Sequence, residues 1–249
     1  MHPDVVLPPL PRPRPVLGHA VHPVDLEGAR AWALAAAAAR VPARLIVTLN
    51  PEIVVQAAGD PELANALARA DLTVADGVGV GWAARRGGVA LPGRVPGVDL
   101  AFAILAAGGP DLRVFLLGGR PGVAEAAATA ATARWGTAVV GHRHGYFDRA
   151  LEGAAVAAEV RASGAGLLLA GLGEGQERFL DDHRDAFGAG CLIGVGGTLD
   201  VLAGVARRTP AWTRRWGVEW AWRVGMDPKR WRRAPRLARF AWMVLRARG

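Results

Sequence analysis

Leu72-Thr73-Val74-Ala75-Asp76-Gly77-Val78-Gly79 is the stretch on which the fold turns. Its first four residues make a short run with no polar alternation, as expected of a strand covered on both faces. A carboxylate and two glycines follow at once, and a helical stretch over 78–86 comes next. The same unit recurs outward in both directions. Candidate strands are Leu45–Thr48, Val114–Leu117, Ala138–Val140, Leu167–Ala170 and Leu192–Val195, and candidate helices cover 61–69, 98–107, 121–135, 150–162 and 176–187. Strands that alternate with helices at this spacing predict an α/β chain with a Rossmann-like, doubly wound, mostly parallel sheet.

Most of these strands end in glycine or small polar residues. Thr48-Leu49-Asn50-Pro51-Glu52 follows the first, Gly118-Gly119-Arg120-Pro121-Gly122 the third, Gly171-Leu172-Gly173 the fifth and Gly194-Val195-Gly196-Gly197 the last. Ligands of open α/β sheets bind at the carboxyl ends of the strands, so a site is expected where these loops converge. A dinucleotide site is not indicated. No Gly-x-Gly-x-x-Gly joins a first strand to its helix, and no acidic residue follows at the ribose-binding distance. Gly118 to Gly122 can cradle a phosphate on backbone N–H groups, or be a tight turn that needs small residues.

Asp76 is the leading candidate for chemistry, as a base at a strand end or as the N-cap of the next helix. Thr48 and Asn50 can point into the same crevice, although Asn50 before Pro51 also has the form of a helix cap. Arg94 can meet phosphate or solvent. Gln176 and Glu177 can touch substrate or form an ordinary first helical turn. His142 and His144 lack partners at metal-ligand spacing, and no Asp-x-Asp occurs, so neither a metal nor a cofactor is expected. Ser163 is the only serine and has no nucleophile-elbow context. Cys191 is the single cysteine, which excludes a disulfide within the chain and fits a small core residue.

The charge is unevenly placed. The chain carries +8, yet Arg207–Arg248 alone carries +11 and six of the nine tryptophans, including Trp212, Trp216, Trp220 and Trp242. Arginine beside tryptophan suits an anionic surface with an apolar layer beneath, either a membrane or a nucleic acid. Trp212, Trp216, Trp220 and Val224 share one helical stripe, and Leu237, Phe240, Ala241 and Val244 form another apolar side. Each stripe can face lipid or the α/β core. The expected division is a disordered, proline-rich arm over 1–18, a core over 19–204 and a basic, Trp-rich helical appendage over 205–249. No signal peptide is evident. The apolar run Ala31–Ala39 is far short of the ~20 residues that span a bilayer. A cytoplasmic protein, peripheral at the membrane's inner face, is therefore expected.

Taken in order, these motifs resemble the WecG/TagA/CpsF glycosyltransferases, also called glycosyltransferase family 26. The resemblance runs from Thr48-x-Asn50-x-Glu52 through Ala75-Asp76-Gly77-x-Gly79, Arg94-Val95-x-Gly97-x-Asp99-Leu100 and Val114 to Gly119. It continues with Gly145-Tyr146-Phe147, Gly171-Leu172-Gly173, Gln176-Glu177, Gly194-Val195-Gly196-Gly197-x-x-Asp200 and Glu219-Trp220-x-x-Arg223. It implies inverting, metal-independent transfer of an N-acetylmannosamine-type or related sugar. The donor would be a UDP-sugar, and the acceptor a sugar linked to undecaprenyl diphosphate in surface polysaccharide or teichoic acid synthesis. It also implies Asp76 as general base, and Thr48, Asn50, Arg94 and Gln176 as substrate contacts. Gly118, Gly119, Gly194, Gly196 and Gly197 would shape the donor pocket. Arginines of the appendage, among them Arg207, Arg214 and Arg223, would close over the site at an anionic membrane surface. The chain departs from the usual pattern at Gly173-Glu174-Gly175, where the family has Pro-Lys before its Gln-Glu, and at Gly93, where it has Glu. Two other readings fit parts of the chain. A nucleic-acid-binding protein would use the tail, although no nucleic acid is expected as partner, and a nicotinamide-dependent oxidoreductase would use the fold.

Overall fold

A computed structural model describes residues 5–40, 42–206 and 234–247. A hairpin, β1 (Arg14–Val16) and β2 (His19–Val21), leads into α1 (Leu26–Ala39). Then come β3 (Arg44–Leu49), α2 (Pro51–Ala57), α3 (Pro61–Ala68), β4 (Leu72–Ala75), α4 (Gly77–Arg86) and α5 (Gly97–Gly108). After these follow β5 (Arg113–Gly118), α6 (Val123–Trp135), β6 (Ala138–Arg143), α7 (Arg149–Ser163) and β7 (Leu167–Gly171). The described chain ends with α8 (Gln176–Asp182), β8 (Cys191–Gly194), α9 (Thr198–Leu202) and α10 (Ala234–Arg246). Strands β3 to β8 form one sheet in the order β4-β3-β8-β7-β5-β6, every neighbouring pair parallel. The fold is the doubly wound α/β layer that the strand–helix alternation predicts.

Right-handed crossovers sort the helices between the two faces. Steps from β3 to β4, β6 to β7 and β7 to β8 run one way across the sheet, so α2, α3, α7 and α8 share a face. Steps from β4 to β5 and β5 to β6 run the other way and put α5 and α6 on the opposite face, while α4 packs into the first cluster beside α2. The core divides accordingly: Val54, Leu63, Val156 and Leu180 lie in one buried cluster, and Leu100, Ile104, Ala127 and Leu199 in the other. Along β5, Phe115 and Leu117 enter the first cluster while Val114 and Leu116 enter the second. Burial on both faces is why these strands read as unbroken apolar runs. At the sheet's amino end, Asp71 accepts from Arg44 (2.9 Å), the Leu45 N–H (2.9 Å) and Arg184 (3.1 Å), which ties β3 and β4 together.

The N-terminal segment differs from expectation. Proline content suggests a free arm to residue 18, yet Leu7 and Leu10 pack on the core, and Val16 is buried in the hairpin. Pro15 pairs with Ala20 in a two-stranded ribbon, where a missing N–H is tolerated. The hairpin then screens the free edge of β4: the His22 N–H donates to Thr73 O (2.8 Å), and His22 Nδ1 accepts from the Thr73 N–H (3.1 Å).

This contact is sensitive to acid. Burial lowers the His22 pKa below its ordinary 6.5, and an Nδ1 that accepts an N–H must be unprotonated. Burial lowers His19 in the same direction. A lowered folded-state pKa means that the stabilisation is complete above about pH 6.5 and is lost as pH falls below it. Thermal melts from pH 7.5 to 5.5 should show a falling Tm, with a smaller fall in His22→Asn, whose amide oxygen accepts without titrating. Equal falls would remove His22 from this role.

Helix α10 packs back on the core. Phe240 and Val244 are buried in the cluster that holds α2 and α4, which contributes roughly 1.5–3 kcal/mol for each side chain. Gly79 leaves room for this docking, since a Cβ there would press on Pro51 and on the Phe240 ring. Arg86 donates to the carbonyls of Val244 (3.1 Å) and Leu245 (3.4 Å), satisfying the last turn of α10, and Arg236 pairs with Glu174 (3.0 Å). Of the two destinations open to the Phe240–Val244 side, the core is the one it takes. The outward face keeps Trp242 and Leu245, both exposed, with the Arg246 guanidinium 4.2 Å from the Trp242 ring centroid. The stripe of Trp212, Trp216 and Trp220 lies outside the described residues.

Candidate active site

The carboxyl ends of β4, β3, β8, β7 and β5 stand side by side, a row spanning about 19 Å at ~4.8 Å per strand. Asp76 closes β4. Its N–H continues the ladder to Leu49 O (2.8 Å), and its backbone occupies the N-cap of α4. Its side chain does not cap that helix: Oδ2 instead accepts from the Gly97 N–H (3.4 Å) at the start of α5. The segment Arg94–Gly97 is drawn there because the Val95 N–H bonds to Ala75 O (2.9 Å). Half-buried between two helix N-termini, the carboxylate sits where partial positive charge collects. Gly77 is at φ +82°, and a Cβ built on it would meet open space, so a ligand can reach the backbone beside Asp76.

Thr48 and Asn50 lie one strand over. Asn50 caps α2, its Oδ1 accepting from the N–H groups of Glu52 (3.0 Å) and Ile53 (3.1 Å), as the residue chemistry predicts. Thr48 is buried, and its hydroxyl donates to Gly194 O (3.2 Å) on β8. Gly97 rests directly on Thr48, a contact that a side chain would tighten to 3.1 Å from Oγ1. A line of contacts thus runs from Gly194 through Thr48 and Gly97 to Asp76. Arg94 lies on the segment that ends in Gly97 and is half-buried.

Gln176 and Glu177 open α8 and are both buried, although first-turn residues usually face water. Gln176 Oε1 accepts from the Leu172 N–H (3.3 Å), and its Nε2 donates to Glu177 Oε1 (2.7 Å). Burial pushes the Glu177 carboxyl up, opposed by the Gln176 hydrogen bond and by the charge of Arg149. Arg149 was not singled out in the sequence. Its guanidinium donates to Leu172 O (2.6 Å) and Glu174 O (2.8 Å) and so grips the turn before Gln176. No local signal marks it, because it follows the cap Asp148 as any first-turn residue would.

The glycines divide by role. Gly118 is at φ +140° and has no space for a Cβ against the Gly171 carbonyl, and a Cβ on Gly119 would meet Val123. Both serve close approach of the chain to itself, which favours the tight-turn reading for their side-chain faces. Gly194 abuts the Gln176–Glu177 pair, Gly196 borders open space and Gly197 precedes α9. Arg207, Arg214 and Arg223 lie outside the described residues. Among the described residues, no group of three or more His, Cys, Asp or Glu is placed to hold a metal ion, and no helix is long and apolar enough to cross a membrane.

The arrangement can take an elongated, anionic ligand across five strand ends. The N-termini of α4, α5 and α6 point toward it, and one carboxylate waits at the β4 end. Comparison with known proteins agrees in kind. A profile described as the glycosyl transferase WecG/TagA/CpsF family matches residues 14–249. Proteins named N-acetylglucosaminyldiphosphoundecaprenol N-acetyl-beta-D-mannosaminyltransferase are similar to this chain. Those of Staphylococcus aureus strains MW2 and NCTC 8325 are each 34% identical over 205 residues, covering 82% of this chain and 80% of theirs.

Proposed function

The chain belongs to the glycosyl transferase WecG/TagA/CpsF family, and we propose that it moves an N-acetylmannosamine-type or related sugar from a UDP-sugar to an undecaprenyl-diphosphate-linked acceptor. The similar staphylococcal proteins carry such an acceptor and sugar in their names, which supports this choice. Transfer is a single displacement. The acceptor hydroxyl oxygen attacks the anomeric carbon opposite UDP, the bond from that carbon to the diphosphate oxygen breaks, and UDP leaves with the electron pair. Configuration inverts, and Asp76 takes the hydroxyl proton.

The observation that carries this reading is the orientation of Asp76. Its carboxylate is turned away from its own helix and toward the crevice edge at Gly97. Around it, Thr48 has lone pairs left to accept after donating to Gly194, and Asn50 has its Nδ2 hydrogens once Oδ1 is committed to α2. Arg94 and the helix N-termini would meet the donor diphosphate, and Gln176 the sugar. Charge that builds on the UDP leaving group calls for cationic and N–H donors when no metal ion takes part, the role proposed for Arg207, Arg214 and Arg223. Gly118, Gly119, Gly196 and Gly197 line the donor's path. The enzyme would work peripherally at the cytoplasmic face of an anionic membrane, where a lipid-linked acceptor lies.

A thermal-shift screen separates this function from its rivals. UDP and UDP-sugars should raise Tm and NAD should not. Mass spectrometry of lipid-linked products from a panel of UDP-sugars should then give one added N-acetylhexosamine. A shift with NAD alone, or salt-steep binding of nucleic acid without any response to UDP, would replace the proposal.

A further inference from the structure

We propose that Glu177 is a positioning residue for transfer, its buried carboxyl fixing the Gln176 amide against the end of β8 where the donor sugar is read. The inference rests on the reading of Gln176 as a donor contact. Three features carry it.

The amide has one favoured orientation. The Leu172 N–H requires the oxygen of Gln176, and the Glu177 Oε1 requires the nitrogen, so the two neighbours agree. Without an acceptor at residue 177, the buried Nε2 loses the bond that sets its rotamer. A carboxyl as buried as that of Glu177 is costly to keep unless its hydrogen bonds do something specific.

The pair also adjoins the site through Gly194. A Cβ there would lie 2.8 Å from Gln176 Nε2 and 3.1 Å from Glu177 Oε1, so the backbone of β8 rests on both side chains. The carbonyl of the same residue receives the Thr48 hydroxyl, on the line of contacts that ends at Asp76. Displacement of the Gln176 amide would therefore be felt at the strand end that carries Gly194, Gly196 and Gly197.

The backbone before Gln176 has little stiffness of its own. Gly173 and Gly175 both sit at positive φ, at +72° and +77°. The turn is held from outside by the Arg149 fork on Leu172 O and Glu174 O, and from inside by Gln176 on the Leu172 N–H. Glu177 anchors that inner hold.

The test is a double-mutant cycle in the full chain, using the donor that the product panel selects. Glu177→Met keeps the volume and removes the acceptor. Gln176→Ala and Glu177→Met should each lower kcat/KM by about 10- to 100-fold, while Kd for UDP stays within about twofold. The double variant should fall no more than about threefold below Gln176→Ala, because one residue acts through the other. Glu177→Gln, whose amide oxygen can accept the same N–H, should recover to within about tenfold of wild type. Single losses that multiply in the double variant, or wild-type kcat/KM in Glu177→Met, would overturn the positioning role and leave the Gln176 contact standing. Wild-type kcat/KM in Gln176→Ala would overturn both.

Discussion

Asp76→Asn should bind UDP as the wild type does and lose at least about two orders of magnitude in turnover. The substitution is nearly isosteric, and an amide oxygen can still accept from the Gly97 N–H that Asp76 Oδ2 receives at 3.4 Å. The Asp76 backbone N–H bond to Leu49 O does not involve the side chain. Fold and crevice shape should therefore survive, and what goes is a basic oxygen able to take the acceptor's proton. General-base removal typically costs about 10²–10⁴-fold, and the low end suffices to separate the outcomes. UDP should keep its affinity because the donor contacts proposed for Gly118, Gly119, Gly196 and Gly197 lie at the ends of β5 and β8, beyond β3 from Asp76, and the near-isosteric change leaves the Arg94–Gly97 segment in place. Calorimetry with UDP and product formation over time check the two halves separately. Wild-type-like turnover would remove Asp76 from the base role. Lost UDP binding with intact melting behaviour would make it a binding residue instead.

The core of the fold was legible because burial on both faces imposes a pattern that short range can carry. Leu72–Ala75 and Leu167–Ala170 read as strands since no position along them faces water. That signal weakens at the sheet's margin. Strand β6 runs on through His142 and Arg143, which an edge strand of intermediate exposure tolerates, so the apolar run ends at Val140 while the strand does not. Helix α8 stops at Asp182 rather than 187. Asn50 and Asp76 could be placed at strand ends from sequence, and the cap of Asn50 followed from Pro51. What spacing could not supply were contacts between distant segments. Thr48 reaches Gly194 across 146 positions, and Arg149 grips Leu172 and Glu174 from a separate helix. Such contacts decide which polar residues are already committed. They turn Gln176 from a first-turn helix residue near the site into a buried one whose orientation another side chain sets.

Deletion of everything after Val205 should abolish transfer to a lipid-linked acceptor and strongly weaken binding to anionic vesicles. The removed part carries +11 over Arg207–Arg248 and leaves a remainder near −3. At roughly 1 kcal/mol for each basic residue near an anionic leaflet, loss of five such contacts lowers partitioning by between about three and four orders of magnitude. The structure adds a second consequence. Without α10, the places of Phe240 and Val244 beside α2 and α4 are vacated, so the truncated chain should also melt earlier. The two effects separate by choice of face. Exchanging Trp242, Leu245 and Arg246 for serine alters only the outward side of α10 and leaves Phe240, Val244 and the Arg86 contacts in place. That variant should melt like the wild type, bind UDP normally and lose at least about tenfold in vesicle binding. Phe240→Ala should do the reverse, costing about 3–5 kcal/mol of stability with the charge untouched. Should the outward variant bind vesicles as the wild type does while the truncation does not, the lipid contact belongs to residues 207–233 and α10 serves as their anchor to the core. Full transfer and unchanged vesicle binding after the truncation would end the membrane reading of the tail altogether.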